Sequence, residues 1–171
     1  MQTGRDTLIG RLHLAVALIA AWLVATSPWI AMYRRVPAHP GLLNGSHVVL
    51  GSTALVLAVP YLYACTRAGR WRLYFPWLAG QGGAALRDLA GLARGVIPSA
   101  EGGGLFAMFE GLTLLSLLAT AATGAAWWAA HGSTDALTWR AAHAAAAQVL
   151  IGFAIVHVVT VSLHLLELVR D

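Results

Sequence analysis

Four stretches of the chain contain no Asp, Glu, Lys or Arg over a length that can cross a membrane. They are residues 12–33, 36–66, 111–134 and 141–166. A helix needs about 20 apolar residues to span a bilayer, and every backbone polar group inside the hydrocarbon must be paired within the protein. The pattern therefore predicts an all-α membrane protein, a bundle of four transmembrane helices.

The composition supports this fold class. The 171 residues are 58% hydrophobic and 11% charged, whereas a soluble domain has about 25% charged residues. The net charge of +4 does not indicate a nucleic-acid partner, because the arginines lie between the apolar stretches, where they set membrane topology. We expect a single transmembrane domain over residues 1–171, with membrane lipid around it.

Turn-forming and charged residues set the expected helix boundaries. PAHPG at 37–41 predicts a turn, and Pro60 predicts a bend in the second helix. We expect helices at about 10–33, 43–66, 104–130 and 138–168, with a long interfacial connection at about 67–103. Within this connection AALRDLAGLARGV predicts a short amphipathic helix on the membrane surface, while SAEGGG is typical of a flexible linker.

The distribution of arginine predicts the orientation. With the N-terminus inside, eight arginines lie on the inner side and three, Arg34, Arg35 and Arg140, on the outer side. Basic residues are in excess in cytoplasmic loops, so both termini are expected in the cytoplasm. The first apolar stretch is interpreted as a retained helix rather than a cleaved signal peptide.

Four histidines lie in the apolar stretches at matching depths. His143 and His157 are 14 residues apart, which places them within about 40° on one helix face and roughly 21 Å apart along the axis. His47 opens the second helix, parallel to the fourth, and is level with His143. His13 opens the antiparallel first helix and is level with His157. Depth therefore predicts two pairs, His47 with His143 outside and His13 with His157 inside.

Two neutral imidazoles in an apolar bundle suit haem better than zinc. Zinc sites usually have four ligands, often thiolate or carboxylate, and no acidic residue accompanies either pair. Haem takes two axial ligands, and its flat apolar ring suits the space between helices. Cys65 is the only cysteine, which excludes covalent attachment through a Cys-x-x-Cys-His motif. We predict two non-covalent b-type haems. Their predicted iron ligands are His13, His47, His143 and His157.

Alternatives remain for several polar residues. His164 lies seven residues after His157 on the same face, and is either an alternative inner ligand or a hydrogen-bonding neighbour of the inner haem. All the histidines could instead be packing or proton-relay residues of a non-redox membrane subunit. Asp88, Glu101 and Glu110 are candidate proton-route residues or simply solvated, and no catalytic residue is assigned.

The histidine motifs resemble those of the bacterial cytochrome b561 family, which also includes b-type subunits of nickel–iron hydrogenases. They are RLH at 11–13, NGSH at 44–47, and WRAAH at 139–143 followed 14 residues later by VH. The resemblance covers nearly the whole chain. It implies haems between the four helices, with His13, His47, His143 and His157 as their ligands, and a location in the bacterial inner membrane.

The resemblance also implies a function. We expect a di-haem cytochrome that carries electrons between a quinone pool (ubiquinone or menaquinone) and a redox partner such as a periplasmic cytochrome or dehydrogenase. The alternative is a superoxide:quinone oxidoreductase acting at the periplasmic haem edge, where Arg34, Arg35 and Arg140 would attract an anion. Whether the chain is an enzyme is left open by these two expectations. Third-helix histidines of some relatives are absent, and the inner connection is longer than in compact members.

Overall fold

The structure is a computed structural model of the chain. It describes the backbone of residues 2–35, 37–96 and 104–170, and the side chains of 7–35, 37–96 and 104–162. All regular structure within these ranges is helical, which confirms the all-α fold class. The helices are α1 (Gln2–Thr26), a 3₁₀ turn (Ser27–Trp29), α2 (Leu42–Thr66), α3 (Trp71–Tyr74), α4 (Gly83–Leu92), α5 (Leu105–Ala130) and α6 (Ala136–Arg170).

Four segments among the described residues are long and apolar enough to cross a membrane. They are Thr7–Trp29, Leu42–Thr66, Leu105–Ala130 and Ala136–Ser162. The expectation of a multi-pass membrane protein with four membrane-length helices is therefore confirmed.

Three of the four long helices have the expected boundaries to within two residues, and the first does not. Helix α1 begins at Gln2 and ends at Thr26, whereas the sequence predicts residues 10–33. The α-helix ends early because Pro28 disfavours α conformation at the residue before it, and the chain continues as the 3₁₀ turn. By contrast, Pro60 lies inside the unbroken α2.

The chain divides into two compact units, which are described one at a time. Unit 1 comprises Met1–Ala64 and Ser116–Leu150, and unit 2 comprises Cys65–Leu115 and Ile151–Asp171. Helices α5 and α6 each contribute one part to each unit.

In unit 1, the connection of residues 30–35 after the 3₁₀ turn is tied to the start of α2 and the end of α5. The backbone N–H of Ala31 donates to Oδ1 of Asn44 over 3.1 Å. The indole N–H of Trp127 donates to the carbonyl oxygen of Tyr33 over 3.2 Å. These bonds satisfy backbone groups that a connection between membrane helices would otherwise leave without partners.

Two arginines of unit 1 also bind backbone carbonyls beside this connection. Nε–H of Arg34 donates to Ser133 over 3.2 Å, and Arg140 donates to the carbonyl of Met32 over 3.4 Å. The N–H of Gly132 in turn donates to the carbonyl of Arg34 over 2.8 Å. The connection is thus held to the α5–α6 turn and to α6.

In unit 2, α4 is joined to the first residue of α5. The backbone N–H of Leu105 donates to Oδ2 of Asp88 over 2.8 Å, so the carboxylate caps an N–H that has no partner within its own helix. Asp88 is therefore part of the fold rather than merely solvated. Glu110, in the second turn of α5, is exposed, and Glu101 lies outside the described residues.

Two glycines make room for these contacts in unit 2. A Cβ at Gly104 would overlap the carboxylate of Asp88, and a Cβ at Gly111 would overlap the carbonyl oxygen of Tyr74. The ring of Phe75 would also lie 3.0 Å from a Cβ at Gly111. The α3 segment and α4 therefore pack closely on the first two turns of α5.

Candidate functional site

The structure brings the side chains of His47 and His143 together in unit 1. Their ring centroids are 6.2 Å apart, and the ring planes are at 86°. His47 lies in the second turn of α2 and His143 in the third turn of α6. Both residues are partly buried, and their rings lie edge to face.

The ring of His143 is oriented by α5. Its Nδ1 atom lies 2.8 Å from the carbonyl oxygen of Thr120. Since a carbonyl oxygen only accepts hydrogen bonds, the proton is assigned to Nδ1, and Nε2 keeps its lone pair. Gly124, one turn further along α5, leaves space for the ring, because a Cβ there would be 3.1 Å from both Nδ1 and Cε1 of His143.

The ring of His47 has unused binding capacity. Its Nδ1 atom is buried and has no hydrogen-bond partner among the described residues. A buried polar atom without a partner destabilises a fold by about 1–3 kcal/mol. A ligand bound between α2 and α6 could satisfy it.

A cavity of about 130 Å³ is lined by both histidines. Small residues form much of its wall: Gly51, Ser52, Ala121, Gly124 and Ala125. Residues 30–32 of the connection also line it. The hydrogen bonds of the connection therefore hold one wall of this cavity in place.

The separation of the two rings fits a metal ion held between them. An imidazole nitrogen binds a metal at about 2 Å, so rings on opposite sides of one ion have their centres roughly 6 Å apart. Each ring can turn about its own metal–nitrogen bond, and an angle of 86° between the planes is therefore compatible with this arrangement. Two imidazoles at this separation are a donor set that a b-type haem would take, and the haem itself stays a prediction.

The other predicted ligands are placed in different units. His13 belongs to unit 1, where its Nδ1 lies 2.9 Å from the hydroxyl of Tyr61 on α2. His157 belongs to unit 2 and is partly buried, and its carbonyl accepts a hydrogen bond from the Thr160 hydroxyl over 2.8 Å. The pairing of His13 with His157 stays a prediction. The side chain of His164 lies outside the described residues.

Three residues that position these histidines are not identified by the sequence. Thr120 acts through its backbone carbonyl, which any residue would supply, so the sequence contains no signal for it. Gly124 is one of many small residues in an apolar helix. Tyr61 could have been suggested by its position, since it lies near the end of α2 at the depth where α1 begins.

Clusters of three or more His, Cys, Asp or Glu side chains able to hold a metal ion do not occur in the part of the chain that the structure describes. No family model, curated protein or solved structure matches the chain.

Proposed function

We propose that this chain is a di-haem b-type cytochrome that carries electrons across a bacterial inner membrane, between a quinone pool and a redox partner. The observation that supports it best is the 6.2 Å separation of the His47 and His143 rings. These two residues would hold the outer haem. His13 and His157 would hold the inner one, on the grounds of depth and of the resemblance to the cytochrome b561 family.

A bound b-type haem supplies reversible one-electron transfer. The chain's own contribution is to hold and tune the ligands. The backbone carbonyl oxygen of Thr120 accepts a hydrogen bond from Nδ1–H of His143, which fixes the ring and would make Nε2 a stronger donor to a metal. If His47 and His143 both hold the metal, its chemistry would be limited to electron transfer, because the two imidazoles would leave no position for a substrate.

An absorption spectrum of the purified protein is the first test. The proposal predicts a reduced b-type spectrum and two haems per chain. His47→Ala and His143→Ala should each lower the haem content to one haem per chain. His13→Ala and His157→Ala should each do the same. His39→Ala, an exposed histidine in the α1–α2 connection, is the matched control and should keep both haems.

Two results would overturn the proposal. A colourless protein would favour the non-redox membrane subunit, with the histidines as packing or proton-relay residues. Retention of two haems by both His47→Ala and His143→Ala would exclude these residues as ligands.

A superoxide:quinone oxidoreductase is a second candidate, supported by two guanidinium groups: one belongs to the connection that lines the cavity and the other is hydrogen-bonded to that connection. Arg34 and Arg140 are exposed and are held by backbone carbonyls of Ser133 and Met32. A fixed positive field near the outer histidine pair would attract an anion. This activity would be favoured if the protein consumes superoxide with a quinone acceptor and if Arg34→Gln slows the reaction at least severalfold. It would be excluded if the protein reduces quinone only with a protein donor.

The orientation is part of the proposal. The arginine distribution supports a bacterial inner membrane location with both termini in the cytoplasm. A reporter enzyme that is active only in the cytoplasm, fused after Asp171, should be active. A periplasmic reporter at the same position should not, and activity of the periplasmic reporter alone would reverse the orientation.

A further inference from the structure

Helix α4 has one face turned to the protein and another that is exposed and apolar. Ala85 and Gly91 are buried, and Asp88 binds the start of α5. The neighbouring row is formed by Leu86, Leu89 and Leu92, which are 67%, 56% and 42% exposed. A helix with this pattern is fixed to its own protein on one side and leaves a hydrophobic strip uncovered on another.

The turn after α4 extends this strip. Gly95 has a φ of 77°, which a residue with a side chain rarely adopts. It allows the N–H of Val96 to return to the carbonyl of Gly91 over 3.0 Å. Val96 is 59% exposed, so the turn adds a fourth aliphatic side chain to the leucine row.

The same segment is strongly basic. Residues 67–96 contain five arginines and a single acidic residue, Asp88. The Asp88 carboxylate accepts the N–H of Leu105, whereas Arg72, Arg87 and Arg94 are exposed. The exposed charged side chains of α4, of the turn after it and of α3 are therefore positive.

We infer that α4 and its flanking turns form a docking surface for anionic phospholipid headgroups. The segment lies between two membrane-length helices, α2 and α5. The bond from Leu105 to Asp88 holds α4 level with the first residue of the α5 span. The aliphatic strip enters the boundary of the acyl chains, and Arg72, Arg87 and Arg94 bind lipid phosphates. This inference does not depend on haem binding.

Hydrogen–deuterium exchange of the full chain in nanodiscs tests the inference. Two nanodisc lipids are compared, phosphatidylglycerol and phosphatidylcholine with the same acyl chains. Exchange of peptides that cover residues 83–96 should be slower in phosphatidylglycerol, by roughly fivefold for each arginine that binds a headgroup. Raising the salt concentration should reduce the difference, because salt screens exposed charges.

Matched variants separate charge from folding. In the R72Q/R87Q/R94Q variant, peptides 83–96 should exchange at the same rate in both lipids. The R72K/R87K/R94K variant should keep most of the difference in exchange rate between the two lipids. R34Q/R35Q/R140Q removes the same amount of charge from the α1–α2 connection and from α6. It should leave the lipid-dependent difference in the exchange of peptides 83–96 unchanged.

Equal exchange of peptides 83–96 of the unmodified chain in the two lipids would overturn the inference. Retention of the difference by the triple glutamine variant would do so as well. If exchange of these peptides slows only when an acidic polypeptide is added, and does so equally in both lipids, the surface binds a protein partner instead.

Discussion

The Nδ1 atom of His143 lies 2.8 Å from the carbonyl oxygen of Thr120, on the neighbouring helix α5. Gly124 lies one turn further along the same helix, where a Cβ would be 3.1 Å from the same ring. Helix α5, which carries no histidine, thus orients His143 of α6 through one backbone carbonyl and one missing side chain.

Gly124→Ala should disturb the outer histidine pair. The new Cβ would lie 3.1 Å from two ring atoms of His143, so the ring must shift by a few tenths of an ångström, and the shift would disturb its hydrogen bond to Thr120. We expect roughly tenfold weaker retention of one of the two haems, as is usual when a residue that orients a metal ligand is changed. Haem content per chain and spectral titration measure this.

The control is Gly152→Ala in α6, where a Cβ would have no neighbour within 4 Å. This variant should keep full haem content and gain slightly in helix stability. Equal haem content in the two variants would contradict the role assigned to Gly124.

Asp88 and Gly104 should behave as a coupled pair. Asp88→Ala removes the cap of Leu105 and should lower the free energy of unfolding by about 1 kcal/mol. Gly104→Ala places a Cβ on the Asp88 carboxylate and should lower it by about 1–3 kcal/mol. Unfolding in mixed detergent micelles measures both. In the double variant the overlap is gone, so the loss should be smaller than the sum of the two single losses; additive losses would show that the two residues do not interact.

Gly111→Ala should be among the most destabilising single-methyl changes in unit 2. The added Cβ meets the backbone carbonyl of Tyr74, which cannot rotate away as a side-chain end could. We expect a loss of roughly 2–3 kcal/mol in the free energy of unfolding, although alanine is the better helix former. Thermal unfolding beside Gly152→Ala is the measurement, and equal stability of the two variants would refute the prediction.

The phenol of Tyr74 should make stability fall at high pH. Burial, followed by the nearby Cys65 and Glu110, raises the pKa of Tyr74 from 10.0 to about 12. Between these values the unfolded chain binds fewer protons than the folded one, so the free energy of unfolding decreases as pH rises. The contribution of the protonated Tyr74 phenol to the free energy of unfolding is fully present below pH 10.0.

Tyr74→Phe isolates this effect. Its stability should fall less than that of the unmodified protein as the pH rises from about 10 to about 12. Unfolding at a series of pH values, with tyrosinate absorbance recorded in parallel, provides the comparison. Identical pH profiles for the two proteins would rule out a titration of Tyr74 in this range.

Tyr61→Phe should change the redox potential of one haem if His13 is a ligand. The Tyr61 hydroxyl lies 2.9 Å from Nδ1 of His13, and an acceptor at this position makes the imidazole a stronger donor to the metal. Its removal should raise the potential of the inner haem and leave the outer one unchanged. A spectroscopic redox titration measures both, and an unchanged pair of potentials would count against His13 as a ligand.

The sequence predicts most of the fold because apolar length and charge placement decide where membrane helices lie. The boundaries of α2, α5 and α6 follow from them, and the proximity of His47 and His143 follows from depth and helix direction; their binding of haem stays a prediction. The contacts of Thr120 and Gly124 could not be predicted. Helix α5 carries small residues on several faces, so its sequence does not single out Gly124 as the residue that faces His143.

The two residues joined by the Asp88–Leu105 hydrogen bond are synthesised in a fixed order. Asp88 precedes Leu105 by 17 residues, and chains are synthesised from the N-terminus. The acceptor has therefore left the ribosome before the helix that needs it. The first turn of α5 can therefore be capped as soon as it emerges.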